Sequence, residues 1–302
     1  MNRHPRPKPD TPLGGRRGFT LVELLIVIVI IGVLIGLLLP AIGAVRASVQ
    51  NARVRTEISS LENAIAAFKT RYGSEPPSTI TLYEHATGGG VNGSWATDTT
   101  GSRAIIRKLW PQFDFTYGVT GKLDINRNEN PDDGPHSFGP SEAIVFFLGG
   151  ILSDNIASGG VPNGFSKNPA NPFGVGSNRD GPFYEFDAAR LQDHDGHGYM
   201  VYHDSLPSQS KPYVYVSSYG GSGYRAGEVT AGEVNMTNGV YFQKGNTVEY
   251  KLNSFQIISP GRDGLYGLGG VYDPDNPDTD LTGTRIDERD NITNFSSGVL
   301  AP

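Results

Sequence analysis

Four places in the 302-residue chain carry side chains with the types and spacing for chemistry. The first is Glu23, a single carboxylate at the head of the apolar run Leu24–Leu39. A carboxylate costs several kcal/mol to bury unpaired, so Glu23 needs a partner. Phe19 lies four residues earlier, on the same helical face. The second is the tail after Ser259-Pro-Gly-Arg-Asp263-Gly264, with Asp273, Asp275, Asp278, Asp280, Asp287, Glu288 and Asp290. Hard cations such as calcium take six to eight oxygens, and Asp-rich loops supply them. The third is Asp193-His194-Asp195-Gly196-His197-Gly198, with His203 and Asp204 nearby. Zinc or an iron-type metal uses such residues, but Asp-Gly and His-Gly before a strand read more simply as a hairpin turn. The fourth is Asp124-Ile-Asn126-Arg-Asn128-Glu-Asn130, which resembles the start of an EF-hand loop. Gly is missing at its sixth position and Glu at its twelfth, so an Asn/Asp-rich turn is the simpler reading. G-x-S-x-G, P-loop and H-E-x-x-H motifs do not occur, and the reading is of a protein that is not an enzyme.

The elements that position these residues start at the N-terminus. A basic, glycine-rich leader ends Gly14-Gly15-Arg16-Arg17-Gly18, and sixteen uncharged residues from Leu24 to Leu39 follow Phe19-Thr20-Leu21-Val22-Glu23. With its flanks the run is long enough to span a hydrocarbon core, which needs about 20 residues. An ordinary secretory signal would be cut after the run, near Ala41-Ile42-Gly43, and a plain anchor would stay uncut. Both leave Glu23 unexplained. Gly32 and Gly36 are spaced G-x-x-x-G, which suits close helix packing or is merely tolerated. Pro40 removes a backbone donor and predicts a kink or local loosening.

Beyond Pro40 the pattern turns amphipathic. Val54, Ile58, Leu61, Ile65, Phe68 and Tyr72 form one stripe, to be packed against a sheet. Gly73 and Pro76-Pro77 end the helix. Short helices are expected at 105–110 and at 141–148, the second with Ser141 as N-cap. Gly88-Gly89-Gly90, 97–102 and 153–181 read as loops. Strands are expected at 183–187, 199–203, 213–217, 247–252 and 255–259, forming an antiparallel sheet with one face buried. The tail 260–302 is expected to have little regular structure. Its eight carboxylates face three arginines and should repel one another unless a cation bridges them.

The segment Gly18-Phe19-Thr20-Leu21-Val22-Glu23-Leu24-Leu25-Ile26-Val27 resembles the N-terminus of the type IV pilin-like family, which includes type IV pilins and type II secretion pseudopilins. The resemblance implies an α+β fold: a long N-terminal helix, half transmembrane and half amphipathic, packed on a C-terminal antiparallel sheet with long loops. It implies cleavage after Gly18 by a prepilin peptidase, methylation of the Phe19 amine, and pairing of Glu23 with the Phe19 amine of a neighbouring subunit in a filament. The organisation implied is a leader over 1–18, a transmembrane or filament-core helix over 19–43 and a globular domain over 44–302. Within the globular domain lie the amphipathic helix 44–72, variable loops and a short helix over 73–181, the sheet over 182–259 and the tail.

Within that family the tail resembles the C-terminal loop of major pseudopilins, where a Ser-x-Gly-x-Asp-Gly segment and a later Asp-rich segment surround one calcium. Ser259 and Asp263 match the first segment; Asp290 matches the second, with Asp287 competing for the place. The implied partners are other pseudopilins in a polymer, the prepilin peptidase and an inner-membrane assembly platform. The implied role is protein transport, from the bacterial inner membrane with the globular domain in the periplasm and the filament there or at the cell surface. The other reading is a membrane-tethered surface protein that binds a ligand through its loops.

Composition fits an exported body. The leader holds five basic residues and one acidic, leaving 20 basic and 30 acidic, a net −10. Positive charge before the span keeps that end cytoplasmic. An acidic body is a poor nucleic-acid binder, because phosphate contacts need clustered Lys and Arg. The chain has no cysteine, so its loops need staples other than disulfides. Forty Gly and 21 Pro predict many turns.

Overall fold

The computed structural model describes residues 18–84, 94–116, 123–130, 134–230, 232–245 and 248–301. The leader before Gly18, the Gly88–Gly90 loop and Asp132-Asp133 lie outside the described residues. The chain divides into two units, one up to Ser48 and one from Val49.

In the first unit a helix, α1 (Leu21–Tyr72), begins and runs without interruption through Pro40. Its start is a capping box. The Thr20 backbone N–H and hydroxyl both donate to Glu23 Oε2, at 2.8 and 2.9 Å, and the Glu23 N–H donates to Thr20 Oγ1 at 3.2 Å. The box satisfies donors that a helix start leaves orphaned. The large apolar side chains from Leu21 to Val45 are all exposed. One helix is thus long and apolar enough to cross a membrane.

The second unit takes over α1 at Val49. There Val54, Ile58, Leu61, Ala64, Ile65 and Phe68 are buried, as the stripe predicts, with Tyr72 half-buried at its end. Phe68 meets Phe147 and Phe183 edge-on, and Tyr72 meets Trp110. Phe147 belongs to α3 (Pro140–Gly149), a helix buried on nearly every side. Trp110 follows α2 (Ser102–Leu109), which covers the expected short helix at 105–110. The N-cap of α3 is Gly139 rather than Ser141, because Pro140 suits the first helical position and Glu142 reaches back to the Gly139 N–H at 2.9 Å. The helix stops where Gly149-Gly150 predicts. A Cβ on Gly150 would lie 2.2 Å from the Gly164 backbone, so the two chain segments touch there only because residue 150 has no side chain.

The strands are short. β1 (Ile80–Leu82) pairs with β2 (His136–Phe138), β3 (Phe165–Ser166) with β4 (Arg179–Asp180), and β5 (Leu191–Gln192) with β6 (Val201–Tyr202), all antiparallel. β3 and β4 interrupt the loop expected over 153–181. The main sheet is antiparallel, in the order β11 (Ile292–Thr293), β9 (Phe255–Ser259), β7 (Val214–Ser217). Val214 lies opposite Ile258, and Ile292 opposite Ser259. β8 (Tyr241–Gln243) and β10 (Gly270–Tyr272) form a separate parallel pair.

Three expectations are corrected here. Residues 183–187 form no strand: the Phe183 and Tyr184 N–H groups are spent on the Leu148 carbonyl, and the Phe183 ring covers the end of α1. Of the strand expected over 247–252, the described residues 248–252 are mostly turn, with a bridge between Glu249 and Phe242. The tail is not irregular. It supplies β10 and β11, and Tyr266, Tyr272, Leu281 and Leu300 join a second core with Val214, Val216 and Ile258.

The sheet is therefore buried on both faces rather than one. Successive residues of a strand point to opposite faces. Tyr213, Tyr215 and Ile257 pack in the core that holds the α1 stripe, while Val214, Val216 and Ile258 face the tail. Three of the eight acids of the tail are in ion pairs: Arg285 with Glu288 at 2.7 Å, Arg289 with Asp278 at 2.7 Å, and Lys244 with Asp273. Glu288 is fully buried and also accepts the Leu268 and Gly269 N–H groups at 3.0 and 3.2 Å.

Glu57 ties α1 to the sheet side of the unit. Its carboxylate accepts from Arg190 Nη1 at 2.9 Å, from the Tyr213 hydroxyl at 2.8 Å and from the Tyr202 hydroxyl at 3.0 Å, with Arg190 Nη2 closing the fork. Removing one partner of a buried pair costs about 3–5 kcal/mol, because the other charge is left behind. Arg190 keeps some solvent contact, so the lower end of that range applies here. Glu57→Ala should lower unfolding stability by about 3 kcal/mol and Glu57→Gln by less, read as the midpoint of urea unfolding by tryptophan fluorescence. Equal midpoints for Glu57→Ala and the parent chain would remove Glu57 as the anchor of α1.

Candidate functional site

The N-terminal site is built by the local chain. Gly18, Phe19 and Thr20 enter α1 without regular structure, and Phe19 is 88% exposed. Glu23 stands in the first turn, with one oxygen engaged by Thr20. The capping role of Glu23 escaped the reading of the sequence. Its signal was there: Thr20-Leu-Val-Glu23 has the S/T-x-x-E spacing that precedes an apolar run at a helix start.

The tail site brings together part of the expected set. Asp290 Oδ2 accepts the Arg262 and Asp263 N–H groups at 2.7 and 3.1 Å. These contacts hold Asp263 beside Asp290. Asp263 Oδ1 accepts the Leu265 N–H at 2.8 Å. The other oxygen of Asp290 is buried and has no hydrogen-bond partner. Ser259 sits at the end of β9, where its hydroxyl donates to Asp204 at 2.5 Å and accepts the Gly261 N–H at 3.3 Å. Asp204 thus joins the site through Ser259; nothing in the spacing of the two residues shows that they meet. Gly261 has φ 68°, and a Cβ there would lie 2.5 Å from Asp290, so the loop folds over Asp290 only with glycine.

The orphaned Asp290 oxygen and the adjoining Asp263 carboxylate suit a hard cation. Among the described residues no group of three or more His, Cys, Asp or Glu side chains is poised to hold a metal. A cation there would therefore draw further oxygens from the backbone or water.

Electrostatics agree with this crowding. The Asp263 carboxyl is pushed up to about 6, first by loss of solvent and then by Asp290 and Asp287, against the Leu265 amide. Burial raises Asp290 too, against the Arg262 and Asp263 amides.

The carboxylates Asp193 and Asp124 of the remaining candidates are engaged in turns. Asp193 accepts the Gly196 and Gly198 N–H groups at 2.8 and 3.0 Å, closing the hairpin between β5 and β6. Asp124 accepts the Asn128 and Glu129 N–H groups, both at 3.0 Å, and Asn128 accepts that of Asn130 at 2.8 Å. The last of these is an Asx turn, and the Asp124 carboxylate closes a wider loop around it. Close to the hairpin, Glu142 is pushed up to about 7, first by burial and then by Asp195 and Asp193, against the Gly139 N–H.

For Asp263 the sign is fixed by comparing states. Its folded value lies above the unfolded one, about 3.9. Its contribution to stability is full below that unfolded value and is lost as pH rises toward 6. In chelator, Asp263→Asn should therefore melt higher than the parent at pH 7, and the difference should close below pH 4. An unchanged or lower melting temperature at pH 7 would reject the repulsion.

Residues 14–39 match the family model described as the prokaryotic N-terminal methylation motif. No curated protein and no solved structure matches the chain. The match is typical of prepilin and type IV pilin-like signal sequences, and it lies on the segment that carries Gly18, Phe19 and Glu23. The chain is pilin-like in its signal and in its α+β fold, with an N-terminal helix suited to anchor it in a membrane.

Proposed function

We infer that the chain is a structural subunit of a type II secretion pseudopilus or a related type IV pilus-like filament, assembled from the inner membrane and acting in protein export. The single observation that carries this reading is the conjunction at the N-terminus. A methylation motif, a carboxylate four residues after Phe19 and an exposed apolar stretch of helix occupy one segment. The signal is cut between Gly18 and Phe19, and the Phe19 amine is methylated. Glu23 then meets the amine of a neighbour and sets the subunit register, while the apolar faces pack in the filament core. The partners are further subunits, the prepilin peptidase and the assembly platform. The acidic unit from Val49 onward stands in the periplasm.

The capping box sharpens the test. Glu23→Gln keeps a side chain able to close the box and removes only the charge. Both Glu23→Gln and Glu23→Ala should be processed to a chain whose mass begins at N-methylated Phe19. Both should enter filaments poorly, with yields reduced at least tenfold in sheared-filament preparations. If Glu23→Gln assembles normally and only Glu23→Ala fails, the residue serves as a helix cap and the pairing role is wrong.

Calcium belongs to the same reading. Asp263 and Asp290 would hold it, with Asp287 nearby and Ser259 bracing the loop through Asp204. Binding to the folded state alone stabilises by about 2.7 kcal/mol at a hundredfold excess over Kd. Calcium should raise the melting temperature of the full chain in detergent. Magnesium, which gives up its water reluctantly, should do so poorly. Asp263→Ala should lose the response. Identical melting of the parent chain in calcium and in chelator would remove the site.

A further inference from the structure

His194 and His203 lie on opposite arms of the β5–β6 hairpin and face each other. Their Nε2 atoms are 3.0 Å apart, and the ring planes cross at 67°. His194 Nδ1 is 2.9 Å from Glu233 Oε1. Where the Glu233 carboxylate accepts from the His194 Nδ1–H, Nε2 of the neutral ring presents a lone pair. His203 is buried. The Gln209 backbone acts on the same ring as a hydrogen-bond acceptor. The pair has two solutions. His203 carries its proton on Nε2 and donates to His194, or it turns that proton to its other nitrogen and both Nε2 lone pairs face one point.

We propose that the second solution is used and that His194 and His203 bind one divalent transition-metal ion, of the zinc class, through their Nε2 atoms. Imidazole suits such metals, whereas calcium and magnesium want oxygen. Two nitrogens each about 2.0–2.1 Å from one ion stand about 2.9–3.4 Å apart for cis angles from octahedral to tetrahedral. The observed 3.0 Å falls in that range. Glu233 fills the orienting role that a carboxylate commonly plays behind a metal-bound histidine, fixing the tautomer and raising ring basicity. Lys211 Nζ, 3.5 Å from the same Glu233 oxygen, balances its charge. His194 and Glu233 line an open cleft of about 1010 Å³, which also holds Glu142, Asp195 and Glu228. Water from that cleft fills the remaining coordination positions. The ion would tie the hairpin and the strand that follows it to the segment carrying Glu233, a staple in a chain without cysteine.

The test is a titration of the full chain in detergent, stripped with chelator, with zinc alone and read by calorimetry. One ion should bind per chain, and the melting temperature should rise on binding. His194→Ala removes a ligand from the surface and should weaken binding at least tenfold without lowering the metal-free melting temperature. Glu233→Gln should weaken binding by about ten- to a hundredfold, the usual loss when such a carboxylate is removed. His197→Ala, on the exposed tip of the hairpin, should bind like the parent. Binding of equal strength by His194→Ala places the ion elsewhere and overturns the proposal, as does a parent chain that binds no zinc at millimolar concentration.

Discussion

The unit from Val49 onward depends on one buried carboxylate. Glu57 sits beside Ile58, on the edge of the apolar stripe, and looks toward Arg190, Tyr202 and Tyr213. Apolar contact is non-directional, so a stripe alone would let a helix slide or roll over its support. Five donors converging on two oxygens, the Tyr184 hydroxyl at 3.4 Å among them, have one solution. Arg190 is itself held to the His203 carbonyl at 3.1 Å, and Tyr213 leads into β7, so the network ties helix, hairpin and sheet. Burial works against the Arg190 charge, and Glu57 outweighs it.

Around that anchor the sheet acts as a partition between two cores. Its three strands are too few to wrap a core themselves, and both sides must be covered. The α1 stripe and α3 cover one side, with the aromatic cluster around Phe68, Phe147 and Trp110. The tail covers the other, and ion pairs and side-chain hydrogen bonds hold it down in place of disulfides. Asn291 is the clearest of these: its side-chain amide donates to the Tyr241 hydroxyl at 3.1 Å and to the Tyr266 carbonyl at 2.9 Å, all fully inside.

What could be read from the sequence was whatever depends on neighbours in the chain. The apolar run, the 4-3-4-3 stripe, the stop at Gly149-Gly150 and the hairpin at Asp193 are all local patterns. The tail was misread because its charges were counted against each other. Their partners lie up to 29 residues away, as Lys244 does from Asp273. Phe183 to Asp187 has strand composition, yet its N–H groups meet a helix end, which no period of two can reveal. At the candidate cation site, Asp263 and Asp290 were legible through a family likeness. Asp204 was not, since it reaches Ser259 across 55 residues. Glu142 lies in the first turn of α3, and only the fold brings Asp193 and Asp195 near enough to raise its carboxyl.

The order of the strands also has a kinetic side. β9 pairs with β7 from the middle of the chain, but its other edge waits for β11, the last strand in the chain. Until residues 292–293 have been made, one edge of β9 offers unpaired backbone groups, and Val214, Val216 and Ile258 lack the cover of the tail. An open edge beside an apolar face is the pattern along which identical chains stick to one another. Late, long-range pairing of this kind is also slow to form.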